Sequence, residues 1–250
     1  MSRQTYLLVG ISGSGKSTTG NAILNKSGEI VKLENPFMTS DSASGCTMQF
    51  ETKEKEDLNV IDTVGFNDPK FNLDSVLKQL RESLKLVNNK VNAVIYVVKC
   101  GKFTNEIIEF FKIVQEKALE SRCKSNSILI VTKSKKGWVS KQSSNEFVQK
   151  ALSNCNGQYF EFDLAFDDPD DDDDEDDRKR NAEKRQKSVD RLHEFLRNKQ
   201  FKEIDLSFIQ KAEYNWDSVK SALGAIGAVA GVAGVVGAVA LIAIKALAKK

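Results

Sequence analysis

Residues 10–17 read Gly-Ile-Ser-Gly-Ser-Gly-Lys-Ser, with glycines at Gly10, Gly13 and Gly15 ahead of Lys16 and Ser17. Glycines at this spacing let a backbone curl until the N–H groups around Ser12, Gly13, Ser14 and Gly15 face one anion. A helix starting at once, through Thr18, points its positive end at the same place. Lys16 then reaches the outer phosphates of a phosphate chain, and the Ser17 hydroxyl ligates Mg²⁺. The flanks agree: Tyr6–Val9 is a short apolar run suited to a buried strand, and Thr18–Leu24 suits a helix. A glycine turn that matched by accident would lack both. The implied chemistry is phosphate binding.

A second group supports the first. Asp62, Thr63, Val64 and Gly65 follow the apolar run 58–61 as D-x-x-G. At such a strand end an aspartate holds Mg²⁺ through water, and the glycine N–H meets a γ-phosphate. Thr47 stands where the polar stretch 25–45 gives way to an alternating run, so its hydroxyl is placed to close on the cation as a switch residue. The bland alternative for Thr47 is a solvent-facing strand threonine.

These groups need a scaffold. Residues 46–52 alternate as a strand, 53–57 form a charged turn and 58–62 form the next strand, so the two pair as an antiparallel hairpin. Apolar spacing predicts helices over 71–87, 105–119 and 147–152, and strands over 91–99, 127–132 and 159–162. The alternation means an α/β fold, a doubly wound and mostly parallel sheet between helical layers. Ligands of such sheets lie at the strands' carboxyl ends, where the glycine loop and Asp62 both fall.

Composition is globular, with 29% charged and 40% apolar residues. Cys46, Cys100, Cys123 and Cys155 form no C-x-x-C pair, and His193 is the single histidine, so neither a zinc site nor a disulfide scaffold is expected. The first strand begins almost at the N-terminus, leaving no secretory signal to be expected. From Asp167 to Asp177 every residue but Pro169 is acidic, which leaves 25 acids against 37 bases elsewhere, an excess of 12. That run has nothing to bury and repels itself, so it reads as a solvated insertion, or else as a mask for the basic helix 178–196. The helix's apolar face is Val189, Leu192, Phe195 and Leu196. Without a nucleic-acid motif, the basic excess reads as solvated or facing anionic lipid, so no nucleic-acid partner is expected.

Residues 221–244 carry no charge, with lysines at Lys220 and Lys245 on either side. About 20 such residues span a bilayer as a helix. Gly224, Gly227, Gly231, Gly234 and Ala238 fall on one face, a smooth stripe on which two helices approach closely. A membrane anchor over 219–248 with the rest of the chain on the cytoplasmic side is the expectation. A soluble packed helix and an interfacial helix are the competing readings. The expected organisation is a phosphate-binding domain over 1–200, a connector over 201–218 and the anchor.

Several segments resemble the immune-associated nucleotide-binding GTPases, within the septin-like G proteins. Residues 10–24, GISGSGKSTTGNAIL, are similar to that family's loop and first helix. Residues 44–47 are similar to its switch-threonine motif, 60–66 (VIDTVGF) to its D-T-x-G segment, and 102–106 (KFTNE) to its R-F-T-x-E box. The resemblance covers roughly residues 5–200. It implies GTP and GDP as ligands with Mg²⁺, held by Ser17, Thr47 and Asp62, and self-association through nucleotide-dependent contacts between G domains. It also implies a hydrophobic C-terminal anchor on an intracellular membrane, as several members carry. Thr132 and Lys133 correspond to the family's guanine-reading segment, which ends in an aspartate. Here Ser134, Lys135 and Lys136 follow, with no carboxylate in either register. Asp163 falls where the family has a base-contacting asparagine. Phe66 follows Gly65 where Ras-like enzymes carry a water-positioning glutamine, so intrinsic hydrolysis is expected to be slow and to depend on a partner subunit. A non-hydrolysing scaffold of the same fold is the alternative. A P-loop kinase would need an acceptor site and lid arginines that have no counterpart here.

Overall fold

The computed structural model describes residues 3–25, 36–37, 50–63, 65, 73–101, 103–104, 107–108, 111, 114–115, 119, 121–134, 136–162 and 175–211. Thr47, Phe66, Asp163, Cys46 and the whole of the segment 219–248, expected as an anchor, lie outside them.

Strands β1 (Gln4–Val9), β2 (Glu51–Lys55), β3 (Leu58–Asp62), β5 (Ala93–Lys99), β6 (Ser127–Thr132) and β7 (Tyr159–Phe162) form one sheet in the order β2-β3-β1-β5-β6-β7. All pairings are parallel except the β2–β3 hairpin. The chain leaves β1 toward β3, then returns past it to β5, β6 and β7. Right-handed crossovers in opposite directions put helices on opposite faces. The reversal lies between β1 and β5, the switch point where such sheets hold ligands.

Helix α1 (Lys16–Leu24) covers one face together with α4 (Glu175–Lys199). The core there joins Tyr6, Leu8, Val60, Ile95, Val97 and Ile130 from the strands to Ile23, Val189 and Leu192 from the helices. The expected face of the basic helix holds: Val189, Leu192 and Leu196 are buried and Phe195 is half-buried. α2 (Leu73–Leu86) buries Leu80 and Leu84. Of residues 105–119, Ile107, Ile108 and Phe111 are helical, and Leu119 N–H reaches the Val114 carbonyl at 2.8 Å, a wider turn than an α-helix makes. α3 (Glu146–Asn154) opens on Asn145, whose side chain accepts from Val148 N–H.

Several boundaries differ from expectation, each for a physical reason. Strand β2 runs through Lys53–Lys55, expected as a turn, and the turn is Glu56-Asp57 with Glu56 at φ 55°. A charged edge strand resists pairing with a second sheet, which explains charges where a turn seemed indicated. The expected strand 91–99 is broken at Asn92. Its side chain accepts Thr5 N–H at 2.8 Å and donates to the Phe201 carbonyl at 3.2 Å. This leaves β4 (Lys90–Val91) to pair with β8 (Ile204–Asp205) as a separate two-stranded ladder. Glu175, Asp176 and Asp177, expected in a solvated loop, begin α4 instead, where acids complement the positive helix end. Residues 201–218, read as a connector, supply β8 and the short α5 (Phe208–Lys211), against which the α2 residue Arg81 donates to the Ile209 carbonyl. Among the described residues Cys123 and Cys155 are buried free thiols, Cys100 is half-buried, and no three His, Cys, Asp or Glu side chains gather into a metal-ligating group. Among them too, no helix is long and apolar enough to cross a membrane.

Candidate functional site

The glycine loop leaves β1 at the switch point, and each glycine there has its own reason. At Gly10 a Cβ would lie 2.4 Å from the Val97 carbonyl oxygen of β5, so only glycine fits against the neighbouring strand. Gly13 and Gly15 have φ of 73° and 90°, the left-handed region other residues avoid. A Cβ on Gly15 would also crowd Thr132 at 3.2 Å. α1 begins directly at Lys16.

Lys16 is buried at 6% exposure, and its ammonium donates to the Ile11 carbonyl at 3.0 Å across the loop. The Ser17 hydroxyl donates to Asp62 Oδ2 at 2.6 Å. Asp62 is 1% exposed, and burial pushes its carboxyl up to about 6, against the opposing pull of Lys16 and the Ser17 hydroxyl. Among the described residues, Asp62 Oδ1 and Ser14 Oγ are buried without a hydrogen-bond partner. A buried carboxylate oxygen left unpaired is costly unless a cation or donor meets it. Hard oxygen donors of this type suit Mg²⁺, so the residues fit a Mg²⁺–phosphate group. Ser17 and Asp62 would hold the cation and Lys16 the phosphates.

Gly65 closes the group. A Cβ there would fall 2.4 Å from Ser12 Cα, so the D-x-x-G glycine lies directly on the phosphate loop. Between them, Thr63 donates its hydroxyl to the Leu8 carbonyl at 2.8 Å, tying the end of β3 to β1. Thr132 ends β6 on the other side, and its hydroxyl donates to the Ser14 carbonyl at 2.7 Å. Thr18 is half-buried in the first turn of α1, and Lys133 is exposed at φ 52°. The structure thus gathers Gly10, Ser12, Gly13, Ser14, Gly15, Lys16, Ser17, Asp62, Gly65 and Thr132 at one end of the sheet. Thr47 and Asp163 lie outside the described residues.

Two features escape a reading of the sequence. Asn21 donates to the Phe37 carbonyl at 2.9 Å and accepts Phe37 N–H at 2.8 Å, and a Cβ at Gly20 would meet the Phe37 ring at 2.8 Å. The signal was the Gly20-Asn21 pair inside a helix, two poor helix formers kept for a tertiary task. The other is Glu161, whose carboxylate accepts Gly137 N–H and Val139 N–H, both at 2.6 Å. Its only signal was a charge in an otherwise aromatic strand.

Fold and site together define a P-loop α/β architecture. The AIG1 family model matches residues 4–217, and the chain belongs to that family. It is 30% identical over 164 residues to the mouse GTPase IMAP family member 8, a match covering 62% of this chain and 23% of that protein. To the Arabidopsis thaliana immune-associated nucleotide-binding protein 7 it is 32% identical over 100 residues, 38% of this chain and 30% of the other. The chain therefore spans less than a third of these curated relatives. Among solved structures, Arabidopsis Toc33 in complex with GDP and Mg²⁺ superposes with a TM-score of 0.53 at 16% identity, covering 82% of this chain and 88% of that one. Toc33 with Mg²⁺ and GMPPNP gives 0.52, also at 16% identity and the same coverage.

Proposed function

We propose that this chain is a GTP-binding switch that takes GTP or GDP with Mg²⁺, hydrolyses GTP slowly, and self-associates when the triphosphate is bound. The observation that carries this reading is Asp62, whose Oδ2 accepts from the Ser17 hydroxyl and whose buried Oδ1 has no hydrogen-bond partner, within the field of Lys16, with Gly65 seated on the same glycine loop at Ser12. Mg²⁺ when bound supplies charge neutralisation at the β- and γ-phosphates. Lys16, now on the Ile11 carbonyl, would hold phosphate oxygens, and Ser17 and Asp62 would hold the cation. Gly65, seated on Ser12, would offer its N–H to the outermost phosphate, and Thr47 would add its hydroxyl to the cation's ligands. Supporting this, Toc33 has been crystallised with GDP and Mg²⁺ and with GMPPNP and Mg²⁺, and a dimerization-deficient Toc33 variant is known.

Phe66 has no hydrogen-bonding group with which to orient water, so hydrolysis depends on a second copy of the chain ordering the site. The run 221–244 anchors the protein in an intracellular membrane with its G domain on the cytoplasmic face, and membrane confinement raises the local concentration of partners. The partners are another copy of the chain and membrane lipid, with no role for nucleic acid.

Turnover per molecule measured against protein concentration tests this. A rate that rises with concentration supports the self-activating switch. Tight GTP binding with a flat, negligible rate supports the second reading, a non-hydrolysing membrane scaffold, which the missing carboxylate at 134–136 favours.

A further inference from the structure

The segment after Thr132 holds its shape through one side chain on the neighbouring strand. Thr132 is tied to the phosphate loop through the Ser14 carbonyl. The backbone then turns left-handed at Lys133, buries Ser134, and turns left-handed again at Gly137, φ 87°. The short 3₁₀ turn Val139–Gln142 follows, with Trp138 at its start packed 5.8 Å from the Phe103 ring. Glu161 stands in the middle of β7 and accepts both Gly137 N–H and Val139 N–H at 2.6 Å. Charge-assisted bonds of this length are among the stronger ones a protein makes. Residues 134–136 are Ser-Lys-Lys and contain no carboxylate.

We propose that Glu161 is the positioning residue for base selection: it fixes the backbone after Thr132-Lys133, and purine choice runs through that held backbone and not through a side-chain carboxylate. The proposal rests on the nucleotide reading above and refines it. A carboxylate that pairs with the guanine N1–H and 2-amino group makes the 2-amino group matter. Without one, guanine and hypoxanthine nucleotides become equivalent ligands, while a backbone N–H of the held loop would donate to the O6 of both and meet the adenine 6-amino group donor to donor. Glutamine in place of Glu161 keeps one good acceptor and turns an amide N–H₂ toward the other backbone donor, so the loop loses one of its two ties.

The test is competition binding by the full chain with GTP, ITP, ATP and inorganic tripolyphosphate, on wild type, Glu161→Gln and Glu161→Asp. Wild type binds GTP and ITP within about threefold and ATP at least about tenfold more weakly, the worth of one oriented hydrogen bond. Both variants lose about tenfold in the GTP-to-ATP ratio with tripolyphosphate affinity unchanged, and they melt several degrees lower, as the loss of a charge-assisted bond requires. Should Glu161→Gln not fold, Gly137→Ala, which strains the same loop at its left-handed turn, gives the same loss of ratio. An unchanged ratio in folded variants overturns the proposal. So does a parallel fall in tripolyphosphate affinity, which would make Glu161 a general support of the site. ITP binding tenfold weaker than GTP overturns the absence of a reading carboxylate and turns attention to Asp163. If wild type binds neither nucleotide nor tripolyphosphate, the nucleotide reading itself has failed.

Discussion

Asp62 carries the site's electrostatic tension. Burial pushes its carboxyl up to about 6 from 3.8, with Lys16 and the Ser17 hydroxyl pulling the other way. A folded pKa above the unfolded one means that ionisation penalises the folded state. The penalty is absent below about pH 4, grows from there to about pH 6 and is complete above it. Asp62→Asn should therefore stabilise the ligand-free protein at neutral pH, by up to about 3 kcal/mol, and the gain should vanish near pH 4. Thermal melts of both proteins across that range check it. A gain independent of pH would mean the carboxylate is not the source. With Mg²⁺ and nucleotide present the order reverses, because the variant lacks the anionic oxygen the cation needs. Most of this group was legible in the sequence, because G-x-x-x-x-G-K-[ST] and D-x-x-G use residue types that few other tasks require together. Glu161 was not, because a lone acid in a strand has many ordinary explanations and only the fold brings Gly137 and Val139 to it.

Strand and helix interiors followed from hydrophobic period, and their ends did not. β6 and β7 match expectation residue for residue, since both are apolar or aromatic runs closed by turn-forming segments. β2 and the start of α4 were misjudged because charge was taken as a mark of loop. On an edge strand charge guards against pairing, and at a helix N-terminus acid is stabilising. The Asn21–Phe37 clamp belongs to this scale too. Removing it with Asn21→Ala leaves a buried N–H and a buried carbonyl unpaired, a loss of about 2–4 kcal/mol. Leu192→Ala, which empties the contact between α4 and the sheet, should lose about 2–5 kcal/mol. Urea unfolding of each variant reads both. If Asn21→Ala unfolds like wild type, the clamp is not a fixed point of the fold.

For the whole molecule, the sheet's reversal at β1 and β5 explains why the phosphate loop, Asp62 and Thr132 meet although about 120 residues of chain separate the first from the last. On the proposed reading, the run 221–244 acts on the nucleotide site only through location. Deleting residues 219–250 should release the protein from vesicles while leaving nucleotide affinity within about twofold of the full chain, since the residues proposed to hold the nucleotide precede the deletion. Flotation with vesicles and a parallel nucleotide titration check both halves. The central claim is tested most directly by Mg²⁺-dependent GTP affinity of the full chain, with Lys16→Ala alongside. Micromolar or tighter binding is expected, requiring Mg²⁺ and weakened about 10- to 100-fold in Lys16→Ala, as loss of a charged hydrogen bond to phosphate implies. Binding that ignores both Mg²⁺ and Lys16, or no binding at all, would contradict it.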